Sequence, residues 1–113
     1  MNVEARQKAR EILKQYEKHG WTLRRVLLSD ATCRMLAASL ENLFGDAPIE
    51  AFKTDALWFS RAVAANGNES WELRRITGAP FALLRVFSAD ISENARKAAR
   101  RATEKRLLDG NQS

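Results

Sequence analysis

The fold is decided by residues 55–87, which read DALWFSRAVAANGNESWELRRITGAPFALLRVF. Three runs within this stretch, roughly 56–64, 69–76 and 81–87, are rich in aromatic and branched apolar residues, as β-strands are. They are separated by two glycine-containing connections, Asn66-Gly67-Asn68 and Thr77-Gly78-Ala79-Pro80. Glycine adopts the positive φ that a tight hairpin turn requires. The stretch therefore predicts an antiparallel meander of three strands.

Helical patterns lie on both sides of this meander. Apolar residues recur at helical spacing, and Ser29 or Asp30 before the second helix and Asp90-x-x-Glu93 before the last one are typical N-terminal caps. The predicted elements are a helix over about 3–19, a strand over 21–28, a helix to about residue 44, a loop over 45–54 and a helix to about residue 108. The predicted fold class is α+β with the order α-β-α-β-β-β-α, in which an antiparallel sheet carries its helices on one face.

The composition is that of an ordinary globular domain. Hydrophobic residues make up 45% and charged residues 29% of the 113 residues. We expect a single domain over 1–113, with disorder at about 110–113. No apolar run is long enough for a membrane span, no secretory signal is evident at the N-terminus, and Cys33 has no second cysteine to pair with. These observations predict a cytoplasmic protein with no membrane association.

The net charge of +5 is concentrated near the two ends of the chain. Residues 1–30 carry seven Lys and Arg against four acids, and residues 91–113 carry six against three. Arg24 and Arg25 are consecutive in a predicted strand and are therefore expected on opposite faces. In the last helix, Arg96, Arg100 and Arg101 are candidate anion contacts. The alternative hypothesis is thus a nucleic-acid-binding domain that uses basic terminal helices, although no nucleic-acid-binding motif accompanies the charge.

A row of charges crosses the meander if both turns contain two residues. Arg61 then lies opposite Glu72, and Glu72 lies opposite Arg85, on a face that also carries aromatic rings. The opposite face, with Trp58 and Trp71, is then the core beneath the helices. The candidate interaction surface consists of Phe59, Arg61, Glu72, Arg74, Phe81, Arg85 and Phe87.

Three interpretations of this mixed surface remain open from the sequence. It is covered by a helix, it pairs with another protein molecule, or it presents a platform for a ligand or nucleic acid. Arginines beside aromatic rings are typical of the centres of protein interfaces. The leading hypothesis is therefore a protein-interaction module whose partner is a second copy, as a homodimer, or another protein.

The residues of catalysis and metal binding are sparse. The only histidine, His19, is expected to end a helix, and Cys33 falls within a helical pattern. No spacing of His, Cys and carboxylates indicates a metal site, and the usual phosphate-binding and dinucleotide-binding glycine motifs are absent. The sequence predicts a non-enzymatic protein with no cofactor and no metal.

Overall fold

The computed structural model describes residues 2–63 and 67–110 and confirms the α+β class, with one strand added to the predicted order. The elements are α1 (Asn2–Lys18), β1 (Thr22–Leu28), α2 (Asp30–Leu36), a 3-10 turn (Ala37–Ser39), α3 (Leu40–Phe44), β2 (Ile49–Ala51), β3 (Ala56–Val63), β4 (Asn68–Arg75), β5 (Ala82–Phe87) and α4 (Glu93–Gly110). The predicted disorder of the last residues falls, for 111–113, outside the described residues. No described helix combines the length and apolar character needed to cross a membrane.

The helix starts follow from short polar side chains. The Ser29 hydroxyl accepts a hydrogen bond of 3.2 Å from the amide of Thr32 and caps α2, as the sequence predicts. The cap of α4 is Ser92 and not the predicted Asp90. The Ser92 hydroxyl accepts a hydrogen bond of 3.1 Å from the amide of Ala95. The carboxylate of Asp90 instead accepts a hydrogen bond from Ser88, so the helix begins two residues later than the capping-box pattern indicated.

The sheet is mixed, with the strand order β2-β1-β3-β4-β5. The predicted meander of β3, β4 and β5 is antiparallel, and β1 pairs antiparallel with β3. The additional strand β2 pairs parallel with β1, where a loop was predicted. Pro48 does not prevent this pairing, because its carbonyl accepts the amide of Val26 at 2.9 Å and the strand begins at the next residue.

Helices cover both faces of the sheet, whereas the sequence predicted them on one. The α1 face carries Val26, Leu28, Leu57 and Phe59, which pack against α1, α2 and α3. The α4 face carries Leu27, Trp58, Trp71, Leu73 and Phe87, which pack against Leu107 and Ala99 of α4. Successive side chains of a strand point to opposite faces, and β1 and β3 carry apolar residues at both odd and even positions. Each face of the sheet is therefore apolar and is buried by helices.

The predicted register between β3 and β4 is wrong by two residues. Glu72 lies opposite Phe59, and Arg61 lies opposite Ser70. Val63 pairs with Asn68, so the connection comprises residues 64–67 instead of a two-residue turn at 66–67, although 64–66 themselves lie outside the described residues. A shift of two residues preserves the faces, because side chains alternate with a period of two.

The predicted register between β4 and β5 is wrong by one residue, which turns β5 over. Glu72 lies opposite Leu84, and Arg85 lies opposite Trp71. The amide of Arg75 bonds the carbonyl of Phe81 at 2.9 Å, whereas the amide of Ile76 bonds the carbonyl of Asp55 at 2.8 Å. Because Arg75 pairs with Phe81, the connection consists of the five residues 76–80, an odd number centred on Gly78 with its φ of +82°. Leu84 and Val86 therefore share the α1 face, and Phe87 shares the α4 face.

Candidate functional site

The structure brings three of the seven predicted surface residues together and separates them from the rest. Arg61, Glu72 and Arg74 line a cleft of about 500 Å³ between the C-terminal half of α1 and strand β4. The other residues that line this cleft are Ile12, Gln15, Tyr16, His19 and Trp21. The cleft lies on the α1 face, because Glu72 contacts Tyr16 of α1.

Tyr16 forms the wall of the cleft. Its ring stacks on Phe59 with centroids 4.1 Å apart and planes 14° apart, so Phe59 is buried beneath it rather than presented to a partner. Its hydroxyl donates a hydrogen bond to the carboxylate of Glu72. Burial, the hydrogen bond to Glu72 and the charge of Glu72 together raise the pKa of Tyr16 well above its usual range, while Arg74 opposes this shift. Tyr16 is therefore a hydrogen-bond donor that stays neutral, and it fixes α1 to β4.

Trp21 and Arg61 close one end of the cleft. The guanidinium of Arg61 lies 4.6 Å from the centroid of the Trp21 ring and donates to the carbonyl of His19 at 2.9 Å. This contact places a cation over an aromatic face, and it also satisfies a carbonyl at the C-terminal end of α1. Tyr16 and Trp21 were not predicted in the site, because they lie in and just after a helix whose apolar stripe indicates only packing against the core.

Strand β5 pairs with β4 beside the cleft and carries the most exposed large apolar residues among those described. Leu84 and Val86 are each 57% exposed, compared with 39% for Met35 and Ile49. Leu84 lies directly opposite Glu72, and Val86 lies opposite Ser70. The register expected from the sequence would place both residues on the core face with Trp58 and Trp71, and the one-residue shift exchanges the two sides of β5.

The remaining residues of the predicted surface lie on the α4 face. Phe87 is buried and meets Trp71 edge to face, with ring centroids 6.2 Å apart. Phe81 precedes β5 and packs against the same core, and the guanidinium of Arg75 lies 5.0 Å from its ring centroid. Arg85 lies opposite Trp71. The predicted surface is thus divided between the two faces of the sheet. Of its residues, only Arg61, Glu72 and Arg74 line the cleft.

The three candidate anion contacts of α4 have different surroundings. Arg96 forms an ion pair with Glu69. Arg100 is buried, lies 5.0 Å from the centroid of Trp71 and forms an ion pair with Glu93 at 3.2 Å. Arg101 is exposed and lines a small depression together with Arg25 and Lys97. Arg96 and Arg100 therefore belong to a second concave region, on the α4 face.

Within the described residues, no group of three or more His, Cys, Asp and Glu side chains is placed to hold a metal ion. The cleft brings together one neutral tyrosine, one carboxylate and two guanidinium groups. No family model matches this chain, nor does any curated protein or any solved structure.

Proposed function

We propose that this protein is a non-enzymatic interaction module that forms a homodimer through strand β5. The observation that carries the proposal is the pair Leu84 and Val86, which expose apolar side chains next to each other on one face of an edge strand. Exposed apolar side chains on an edge strand are a liability for a monomer, because such a strand pairs readily with another chain. A second copy that pairs with β5 removes this liability.

The hydrogen-bond phase of β5 supports pairing with a partner. The bond from the amide of Arg75 to the carbonyl of Phe81 identifies this pair as a hydrogen-bonded pair of the antiparallel ladder. By alternation, residues 83, 85 and 87 also bond toward β4, whereas Ala82, Leu84 and Val86 direct their amide and carbonyl groups toward the outer edge. The residues with exposed apolar side chains are therefore also those whose backbone groups are available to a further strand.

Charge selects the register of this proposed pairing. Two copies of β5 related by a two-fold axis can place Leu84 opposite Leu84 of the partner subunit, which places Ala82 opposite Val86 of the partner subunit. Arg85 then lies opposite Leu83 of the partner subunit. A register centred one residue later places Arg85 opposite Arg85 of the partner subunit, and directly opposed like charges destabilise a strand pair. The proposal therefore specifies the Leu84-centred register.

The cleft supplies the polar border of the proposed interface. Glu72 and Arg74 lie on the strand next to β5 and on the same face as Leu84. An apolar centre with a polar rim that carries both signs of charge is the usual composition of a protein interface. The proposed interface is thus still a mixed apolar and arginine surface, as expected from the sequence. Its apolar residues are Leu84 and Val86 instead of the predicted phenylalanines.

A charge-exchange experiment tests the homodimer. Sedimentation velocity at micromolar concentrations is expected to show a dimer for the wild-type chain and a monomer for Leu84→Glu, because two carboxylates then face each other across the axis. The Leu84→Lys variant is likewise expected to be a monomer. An equimolar mixture of the two variants is expected to dimerise again, because each pair across the axis then has opposite charges.

The matched control is Met35→Glu, which introduces the same charge at an exposed apolar residue of α2, away from β5. It should leave the dimer intact. A wild-type chain that remains monomeric at every concentration overturns the proposal, and so does a mixture of the two Leu84 variants that stays monomeric. A dimer that Leu84→Glu does not dissociate assigns self-association to another surface and also overturns it.

A cytoplasmic location is part of the proposal. Its support is Cys33, which is a half-buried free thiol with no disulfide among the described residues, and such thiols are usual in a reducing compartment.

A further inference from the structure

A β-bulge turns two consecutive arginines toward the same side of the sheet. The pairing of β1 with β3 shifts between Leu23, which lies opposite Phe59, and Arg25, which lies opposite Trp58. Arg24 is the additional residue, and its guanidinium lies 5.3 Å from the centroid of the Trp71 ring. The expectation that Arg24 and Arg25 lie on opposite faces is therefore wrong. Bulges commonly re-aim a side chain next to a functional site.

Helix α4 brings two further arginines to the same place. Arg96 and Arg100 are four residues apart and therefore lie on one side of the helix. Arg100 is only 8% exposed, and its guanidinium lies 5.0 Å from the centroid of Trp71. Two guanidinium groups from different elements thus contact one indole ring. We call this concave region the arginine groove; it has a volume of about 410 Å³ and is lined by Arg24, Arg25, Pro48, Glu69, Trp71, Glu93, Arg96 and Arg100.

The charges of the arginine groove are not balanced. Its lining contains four arginines and two glutamates, which leaves a net charge of +2. Arg96 pairs with Glu69, Arg100 pairs with Glu93 at 3.2 Å, and Arg25 pairs at 2.5 Å with Glu50, which lies outside the groove lining. Across residues 2–63 and 67–110, Arg24 forms no ion pair. The groove therefore holds one guanidinium over a ring, at its rim, that forms no ion pair among the described residues, although its charge contributes to lowering the pKa of Glu69.

The acidic residues of the groove do not remove its attraction for anions. Glu69 accepts hydrogen bonds from the indole of Trp71 and from Arg96, and these two bonds lower the pKa of its carboxyl group. Glu69 is thus an acceptor already occupied by donors of the protein, and it orients Arg96. Arg24 makes no hydrogen bond to a carboxylate among the described residues, so its donors are available to a ligand, whereas Arg25 directs two of its donors at Glu50.

We propose that the arginine groove binds a phosphate group. The planar guanidinium fork matches the geometry of a phosphate and binds it through two hydrogen bonds, and several such forks converge here. The volume suits a ligand the size of a small phosphorylated molecule or one segment of a nucleic-acid backbone. The two sources share this chemistry. The site differs from the sequence hypothesis of terminal helices, because α1 contributes nothing to it and β1 contributes two of its arginines.

Titration calorimetry at low salt with pyrophosphate tests the site. Pyrophosphate is expected to bind saturably with one molecule per chain, and Arg24→Gln is expected to weaken this binding by about tenfold or more, because a charge-assisted hydrogen bond is lost. Arg24 lies at the surface and forms no ion pair, so this variant should keep the wild-type melting temperature. The matched control is Arg10→Gln on the exposed side of α1, which lowers the net charge equally and should leave the affinity unchanged.

A competition experiment identifies the source of the phosphate. A labelled single-stranded oligothymidylate that pyrophosphate displaces from the wild-type chain, with weaker binding to Arg24→Gln, assigns the groove to a nucleic-acid backbone. Binding of pyrophosphate with no binding of the oligonucleotide assigns it to a small phosphorylated molecule, and both results support the phosphate site. The proposal is overturned if pyrophosphate does not bind saturably, or if Arg10→Gln weakens binding as much as Arg24→Gln does.

Discussion

The two faces of the sheet contain similar apolar residues but are covered to different extents. On the α4 face, Trp58, Trp71, Leu73 and Phe87 are all buried. On the α1 face, Val26, Leu28, Leu57 and Phe59 of β1 and β3 are buried, whereas Leu84 of β5 is 57% exposed. On this face α1, α2 and α3 pack over β1 and β3, α1 reaches β4 through the contact of Tyr16 with Glu72, and β5 is left open. The apolar side chains of Leu84 and Val86 therefore contribute little to the core, which is why we propose them as the dimer contact.

A pair of identical substitutions tests this comparison with the largest expected effect. Leu73→Ala removes a fully buried side chain from the α4 face and is expected to lower the free energy of unfolding by about 2–5 kcal/mol, because it leaves a cavity. Leu84→Ala makes the same chemical change on the open face, and it is expected to remain within about 0.5 kcal/mol of wild type. Urea denaturation at concentrations where the chain is monomeric measures both values.

The contrast between the two leucines is the quantity of interest. Equal losses of unfolding free energy would mean that Leu84 is part of the folding core, and the distinction between a covered and an open half of the α1 face would then fail. The same denaturation series at high protein concentration adds the contribution of self-association, which should be present for Leu73→Ala and reduced for Leu84→Ala.

The covered half of the α1 face depends on a buried carboxylate. Asp55 is 4% exposed and accepts hydrogen bonds from the amide of Ser29 at 2.8 Å and from the hydroxyls of Thr32 at 2.7 Å and Thr77 at 3.1 Å. It therefore connects the start of α2 to the end of β4. Asp55→Asn replaces one accepting oxygen by a donor and is expected to cost about 1–3 kcal/mol of unfolding free energy.

Hydrogen exchange locates that loss. Amides of α2 and α3 are expected to exchange faster in Asp55→Asn, because the helical unit over β1 loses its attachment, whereas amides of α4 should change only as far as global stability requires. The isosteric change Asp46→Asn at an exposed residue is the control and should leave both regions unaffected. Uniform acceleration throughout the chain would show that Asp55 supports the whole fold rather than one half of a face.

The sequence predicted elements well and registers poorly, for an identifiable reason. Helices, strands and the burial of Trp58 and Trp71 follow from local periodicity, which lies within each segment. The phase of β5 depends instead on the number of residues that connect it to β4, which follows from the pairing of Arg75 with Phe81 and not from the pattern within either strand. The direction of the Arg24 side chain depends on a β-bulge that the residue pattern did not predict. The cleft could be predicted only in part, since Arg61, Glu72 and Arg74 share one parity while Tyr16 reaches them from another element.

Tyr16 lies at the boundary between the covered and open parts of the α1 face, and removing its hydroxyl is expected to cost less than Leu73→Ala or Asp55→Asn. Tyr16→Phe removes the hydrogen bond to Glu72 but keeps the ring over Phe59, so a loss of about 1 kcal/mol is expected near neutral pH. Because the folded-state pKa of Tyr16 is raised above its unfolded value of 10.0, this contribution is fully present below that pH and is lost as the pH rises toward the folded-state pKa. The difference in unfolding free energy between wild type and Tyr16→Phe should therefore shrink above about pH 10.

The chain contains one tyrosine, so tyrosinate absorbance reports on Tyr16 alone. In the folded protein the absorbance should rise at a pH well above the usual tyrosine range, because burial and Glu72 both oppose ionisation. Glu72→Gln removes the carboxylate and should bring the titration back toward that range without displacing the ring. A wild-type titration at the usual pKa would mean that the hydroxyl of Tyr16 faces solvent, and α1 would then have no polar attachment to β4 at the border of the open face.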